Sequence, residues 1–93
     1  MEYERFEVER RAKASPAEIW ARRAPEAHRT FLRRAIANAR KAGLDEKTGW
    51  PFGAVIVDRE GGVAADGSNR VFADFDPTAH AEVQAIRAAG ASL

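Results

Sequence analysis

Apolar residues recur along the chain in two different rhythms. After Pro25, the residues Phe31, Leu32, Ala35, Ile36 and Ala39 return at spacings of three and four, which gathers them on one stripe of an α-helix. Arg29, Arg33, Arg34, Arg40 and Lys41 take the other positions, so the pattern predicts a helix with a core-facing stripe and a solvated back. Pro25 suits a first turn, where its missing N–H costs nothing, and Gly43 is expected to end the helix in the left-handed conformation. Residues 52–57 follow the other rhythm. They form an unbroken apolar run rich in β-branched side chains, expected to be a strand covered on both faces. Residues 58–62 read as a turn, and Val63 to Ser68 as the returning strand of a hairpin.

The segments between these are shorter signals. Residues 1–14 mix Tyr3, Phe6 and Val8 with charges at almost every other position, as in a short strand or an irregular arm. Ser15-Pro16-Ala17-Glu18 has the form of a helix start: a hydroxyl at the cap, Pro at the first helical position, and Glu placed to reach back to the cap amide. A short helix through about Arg23 should follow, presenting Ile19 and Trp20. Residues 44–51, with Gly49 and Pro51 as breakers, read as a loop, and residues 69–75 as irregular. Asp76-Pro77-Thr78 prepares a last long helix with Ala79, Val83, Ile86 and Gly90 on its buried side. The mixture predicts an α/β fold, with residues 1–24 as an extension carrying a short helix and residues 25–93 as a separate unit.

Composition narrows the possibilities. A chain of 93 residues is one small domain or part of a larger one. It lacks cysteine, which excludes disulfides and thiolate catalysis from these residues. The first 43 residues carry 11 Lys or Arg against 6 Asp or Glu, and the remaining 50 carry 4 against 8. The basic charges alternate with acidic ones along helical segments, as on a solvated face, which argues against a nucleic-acid surface. No run approaches the length of a membrane span, and the charged start lacks the apolar centre of a signal peptide. A cytoplasmic location is therefore expected, without a membrane partner.

The candidate chemistry begins with the two histidines. His28 lies among charged residues of the long helix and reads as an exposed side chain. His80 opens a helix and is followed at once by Ala81 and Glu82. Two positions along an ideal helix rotate side chains by about 200°, so this pair can converge only ahead of the helix end, where free N–H groups and the dipole favour anions. A zinc held there would lower the pKa of its water toward about 7, with Glu82 moving the proton. As a bare His-x-Glu the pattern is a weak signal and reads first as a surface pair, because so short a motif recurs by chance.

A longer constellation gives it context. Pro51-Phe52-Gly53-Ala54-Val55-Ile56-Val57, then Gly67-Ser68-Asn69, then Asp76-Pro77-Thr78-Ala79-His80-Ala81-Glu82-Val83 and Ala85-Ile86-Arg87 resemble, in order and spacing, the first half of the zinc-dependent cytidine and deoxycytidylate deaminase superfamily. The resemblance spans about residues 31–89. Phe52 and the run from Asp76 to Arg87 are more similar to its guanine deaminase branch than to its tRNA adenosine deaminases. What it implies is a cytidine-deaminase-like, three-layer α/β/α fold. The β-hairpin and its flanking helices would be present, and the last strands and the zinc-cysteine helix absent.

For the site, the resemblance implies that His80 is a zinc ligand and Glu82 the general acid and base for hydrolytic deamination of a purine or pyrimidine base or nucleoside. Asn69 would hydrogen-bond the base, the backbone N–H of Ala81 would meet a ring carbonyl, and Phe52 would stack on or wall the ring. Taken alone, Asn69 reads as a turn former and Phe52 as a core residue. The resemblance also implies a Pro-Cys-x-x-Cys helix, for which a cysteine-free chain has no counterpart. One imidazole is a poor zinc site, since catalytic zinc normally takes three protein ligands.

The expectation is thus the N-terminal half of a guanine-deaminase-like enzyme, truncated, binding zinc weakly or not at all alone, and inactive alone. The bare edge of the strand at residues 52–57 should pair with a second copy or a complementing chain. Two other readings are a non-catalytic interaction or assembly module and a fragment of a deaminase acting on tRNA or other RNA.

Overall fold

The computed structural model describes residues 15–92. The strand or arm expected over residues 1–14 lies outside the described residues, as does Leu93. Helix α1 spans Pro16–Arg22 and α2 spans Pro25–Arg40, which runs on into a π-helical turn at Lys41–Asp45. Strands β1, Gly53–Val57, and β2, Val63–Ser68, precede a single helical turn, α3, at Val71–Asp74, and the long helix α4 at Ala81–Ser92. The start of α1 is a reciprocal cap: Glu18 N–H donates to Ser15 Oγ at 3.1 Å and Ser15 N–H to Glu18 Oε2 at 3.3 Å.

The two strands pair antiparallel, Gly53 opposite Ser68 and Ala54 opposite Gly67, with a bulge between Ile56 and Val57. Asp58 closes the hairpin turn, accepting Gly61 N–H on its carbonyl at 3.2 Å and Gly62 N–H on Oδ1 at 2.8 Å. Gly61, at φ +92°, supplies the left-handed residue this turn needs. Every residue of β1 is half-buried, because α2 and α4 pack on opposite faces of the hairpin. On one face, a Cβ at Gly53 would overlap the Ala35 carbonyl oxygen of α2. On the other, a Cβ at Gly67 would overlap the Ala81 carbonyl oxygen and stand 2.9 Å from the Ala85 Cβ of α4. Helix backbones therefore approach the sheet at glycines, and the result is the three-layer α/β/α arrangement.

That close approach corrects both expected helix faces. Leu32 and Ile36 of α2 are each 58% exposed, while Phe31, Ala35 and Ala39 are half-buried. In α4 the buried residues are Ala81 and Ala85, and Ile86 is 62% exposed. The packed lines consist of small residues because the backbone itself sits on the glycine. Nor is the back of α2 simply solvated. Arg34 grips Asp66 of β2 with Nε and Nη2 at 2.7 and 2.6 Å, and Asn38 donates to Asp66 at 2.9 Å and to the Ala54 carbonyl at 3.1 Å. The Arg34 hydrogen bond is the main cause that lowers the Asp66 carboxyl to about 2.

Four boundaries also differ from the sequence reading. Gly43 does not end α2; it lies inside the π-helical turn, where a Cβ would come 2.7 Å from the Pro51 Cβ. Residues 69–75 are not wholly irregular, since Val71–Asp74 is helical. The last helix starts at Ala81, after turns at residues 77–78, and Phe52 stands just before β1.

Candidate functional site

The site is built outward from Asn69, which is 2% exposed and follows β2 directly. Its N–H extends the hairpin ladder by one rung, donating to the Phe52 carbonyl at 3.1 Å. Its side-chain oxygen accepts two main-chain donors, Trp50 N–H at 3.2 Å and Val71 N–H at 3.1 Å. With Oδ1 so occupied, the amide keeps its NH2 for the cleft it lines. Thr48 braces the same residue, its Oγ1 donating to the Asn69 carbonyl at 2.8 Å and its carbonyl accepting Phe72 and Ala73 N–H at 3.0 and 2.9 Å. Gly49 must lack a side chain, since a Cβ there would overlap Asn69 Oδ1. Asn69 is a turn former and a site residue at once.

The second wall is aromatic. Phe52 N–H donates to the Trp50 carbonyl at 2.8 Å, a three-residue turn centred on Pro51, whose ring holds φ close to the value this turn requires. Phe52 is 61% exposed and borders the cleft, so it is no core residue. Trp50 borders it too, with the Phe72 ring edge-on at 4.9 Å.

The third wall is the start of α4. Asp76 Oδ1 accepts Thr78 N–H at 2.9 Å and Thr78 Oγ1 at 2.7 Å, which folds the chain before the helix. These bonds, that from the side chain first, hold the Asp76 carboxyl below its usual range. Arg70 N–H donates to the Ala79 carbonyl at 2.9 Å, tying this loop to the end of the hairpin. His80 then occupies the cap position, its N–H donating to the Thr78 carbonyl at 2.8 Å and its own carbonyl accepting Gln84 N–H at 2.9 Å.

The His80 and Glu82 side chains converge ahead of the helix, with Nδ1 and Oε1 3.7 Å apart, and both are exposed. Together Trp50, Phe52, Asn69, Val71, Pro77, His80 and Glu82 line an open cleft of about 460 Å³.

Four of the five residues singled out by sequence meet here. Ala81 does not line the cleft; it is buried against β2 at the first turn of α4. His28 is half-buried on α2 rather than exposed, and it lies outside the cleft. Trp50, Val71 and Pro77 were missed. Only Trp50 left a signal, a large aromatic in a polar loop immediately before Pro51 and Phe52.

A sequence profile of the cytidine and deoxycytidylate deaminase zinc-binding region matches residues 25–92. The chain belongs to this deaminase family. Among its relatives, guanine deaminase of Bacillus subtilis (strain 168) is 53% identical over 62 residues, which are 67% of this chain and 38% of that one. The crystal structure of guanine deaminase from Bacillus subtilis superposes with a TM-score of 0.59 at 49% identity, over the same shares. The tRNA(Ile)-lysidine synthase of Deinococcus deserti is 41% identical over 64 residues, 69% of this chain and 12% of that one. The chain therefore spans 38% of the length of the deaminase it matches.

Membership of a family described by a zinc-binding region sets a test for the residues present. Among the described residues, no group of three or more His, Cys, Asp or Glu is placed to hold a metal ion. His80 is a single imidazole, and these residues do not by themselves fit a zinc site. Among the described residues, no helix is long and apolar enough to cross a membrane.

Proposed function

We propose that residues 25–93 are the base-recognition portion of a guanine-deaminase-type hydrolase, and that residues 1–24 are an extension to it. The observation that carries this reading is the meeting of four groups at one cleft: the Asn69 amide, the Phe52 ring, the His80 imidazole and the Glu82 carboxylate. A planar base seated there would accept a hydrogen bond from the Asn69 NH2 and rest against Phe52. Glu82, exposed at the helix start and 3.7 Å from His80, is free to take a proton from an attacking water and return it to the departing amino group. Ala81, buried at the first turn of α4 and not lining the cleft, positions this helix start against β2 rather than contacting the base.

His80 contributes one ligand to a metal centre whose other ligands must come from sequence outside these 93 residues or from another chain, because these contain no cysteine. On its own the chain binds a base without turning it over.

The test supplies the missing part. The chain is mixed or fused with a segment bearing Pro-Cys-x-x-Cys, and zinc content and ammonia release from guanine and from cytosine are measured. The reading expects metal uptake that depends on His80 and ammonia from guanine. A hybrid that takes up zinc equally well as His80→Ala would refute it.

A further inference from the structure

We propose that Trp50 is a second ring-binding residue of this cleft, and that with Phe52 it selects bicyclic purine bases over single-ring pyrimidines. The inference rests on the deaminase reading above and extends it to a residue that the motif does not include.

Three observations place the indole at the site. Trp50 borders the cleft while remaining 56% exposed, so packing into a core does not account for it. Its main chain is fixed by the site itself. Trp50 N–H donates to Asn69 Oδ1 at 3.2 Å, one of the two bonds that turn the Asn69 NH2 toward the cleft, and its carbonyl accepts Phe52 N–H at 2.8 Å across Pro51. Its ring is braced edge-on by Phe72, with planes at 68° and centroids at 4.9 Å. A single turn thus carries two aromatic residues to one cleft and ties both to Asn69, Trp50 through the side-chain oxygen and Phe52 through the main-chain N–H.

Selectivity follows from ring area. Stacking on an aromatic side chain grows with the overlap of the two π-faces. Because Phe52 and Trp50 both line the cleft, the larger π-face of a purine has more aromatic surface to cover there than that of a pyrimidine.

The 93-residue chain serves for the test, because it concerns binding and not turnover. The chain has two tryptophans, so Trp20→Phe leaves the Trp50 indole as the single such signal in a proton–nitrogen NMR spectrum. Hypoxanthine and cytosine are then titrated separately. The expected result is a hypoxanthine-dependent shift of the indole N–H and of the Asn69 side-chain amide, with cytosine binding roughly tenfold or more weaker. Trp50→Leu should lower hypoxanthine affinity by a similar factor and cytosine affinity little, while Trp50→Phe keeps most of the purine binding. Phe72→Leu, which leaves the indole in place but removes its brace, should give an intermediate loss.

Hypoxanthine binding that shifts Phe52 and Asn69 but is unchanged in Trp50→Leu would overturn this inference and leave the deaminase reading standing. Equal affinity for cytosine and hypoxanthine would overturn the purine preference. A cleft unmoved by either base would overturn both.

Discussion

His80 Nδ1 lies 3.7 Å from Glu82 Oε1, although the two residues are two positions apart in the chain. The separation is reached only because His80 is the cap residue, outside the helical repeat, while Glu82 is in the first turn of α4. On a continuous helix the same pair would diverge by about 200°. In an active hybrid carrying the missing metal ligands, Glu82→Gln should therefore keep the metal and the base but lower kcat by roughly 10² to 10⁴. Steady-state kinetics on guanine, with metal content measured in parallel, provide the check; an unchanged kcat would reduce Glu82 to a helix-start carboxylate.

For the 93-residue chain alone, metal analysis after dialysis against zinc should find well below one equivalent, with no further loss in His80→Ala. A single imidazole cannot complete a tetrahedral site. Stoichiometric zinc would mean that ligands come from carboxylates or from a second copy.

Much of this geometry was legible in the sequence, and where it was not the reason is physical. The hairpin showed itself through a β-branched run, a Gly-rich turn and a short return, and α1 through Ser15 and Glu18. The buried faces of α2 and α4 were misread because hydrophobic periodicity weighs large side chains. Here contact is made by Ala35, Ala39, Ala81 and Ala85 against Gly53 and Gly67, so Leu32, Ile36 and Ile86 are left outside. The role of Pro51 was hidden too. A breaker residue signals a loop, but only the fold shows that this one turns Trp50 and Phe52 onto the same cleft.

Gly67→Val should be strongly damaging to the sheet. A side chain there collides with the Ala81 backbone, which cannot rotate away. The expected cost is about 1–3 kcal/mol or more, read as a lower thermal midpoint by circular dichroism, together with displaced His80 and Glu82 signals. Gly62→Ala meets only the carboxylate oxygens of Asp58, the nearest at 3.0 Å, and should shift the midpoint far less.

Acid should weaken the contact between α2 and β2 in a defined window. Asp66 is lowered from 3.8 to about 2 in the folded chain, so its contribution is complete above the ordinary value and disappears as pH falls toward about 2. Arg34 and Asp66 side chains are 50% and 39% exposed, and solvent screening keeps the contribution of the pair small. Arg34→Met should flatten the stability profile between pH 4 and 2, measured by urea denaturation at each pH; an unaltered slope would show that the pair contributes nothing.

Among the described residues the sheet has two strands, each with one ladder partner, which leaves an edge on β1. Pairing of that edge with another copy should give concentration-dependent association in light scattering, reduced by Val55→Lys. A monomer at all concentrations would show that the edge is covered.

The layering has one more consequence, for how the chain assembles. Helix α2 packs mainly on β1, which follows it, and α4 mainly on β2, the strand nearest before it, while the strands join through a tight turn. Partners are neighbours in sequence, so little loop entropy opposes their meeting, and folding should be fast for a protein containing a sheet. The order of synthesis is then also an order of docking. The helix and hairpin can close first, and the cleft is finished last, when the Ala79 carbonyl receives the Arg70 N–H and sets the start of α4 beside Asn69.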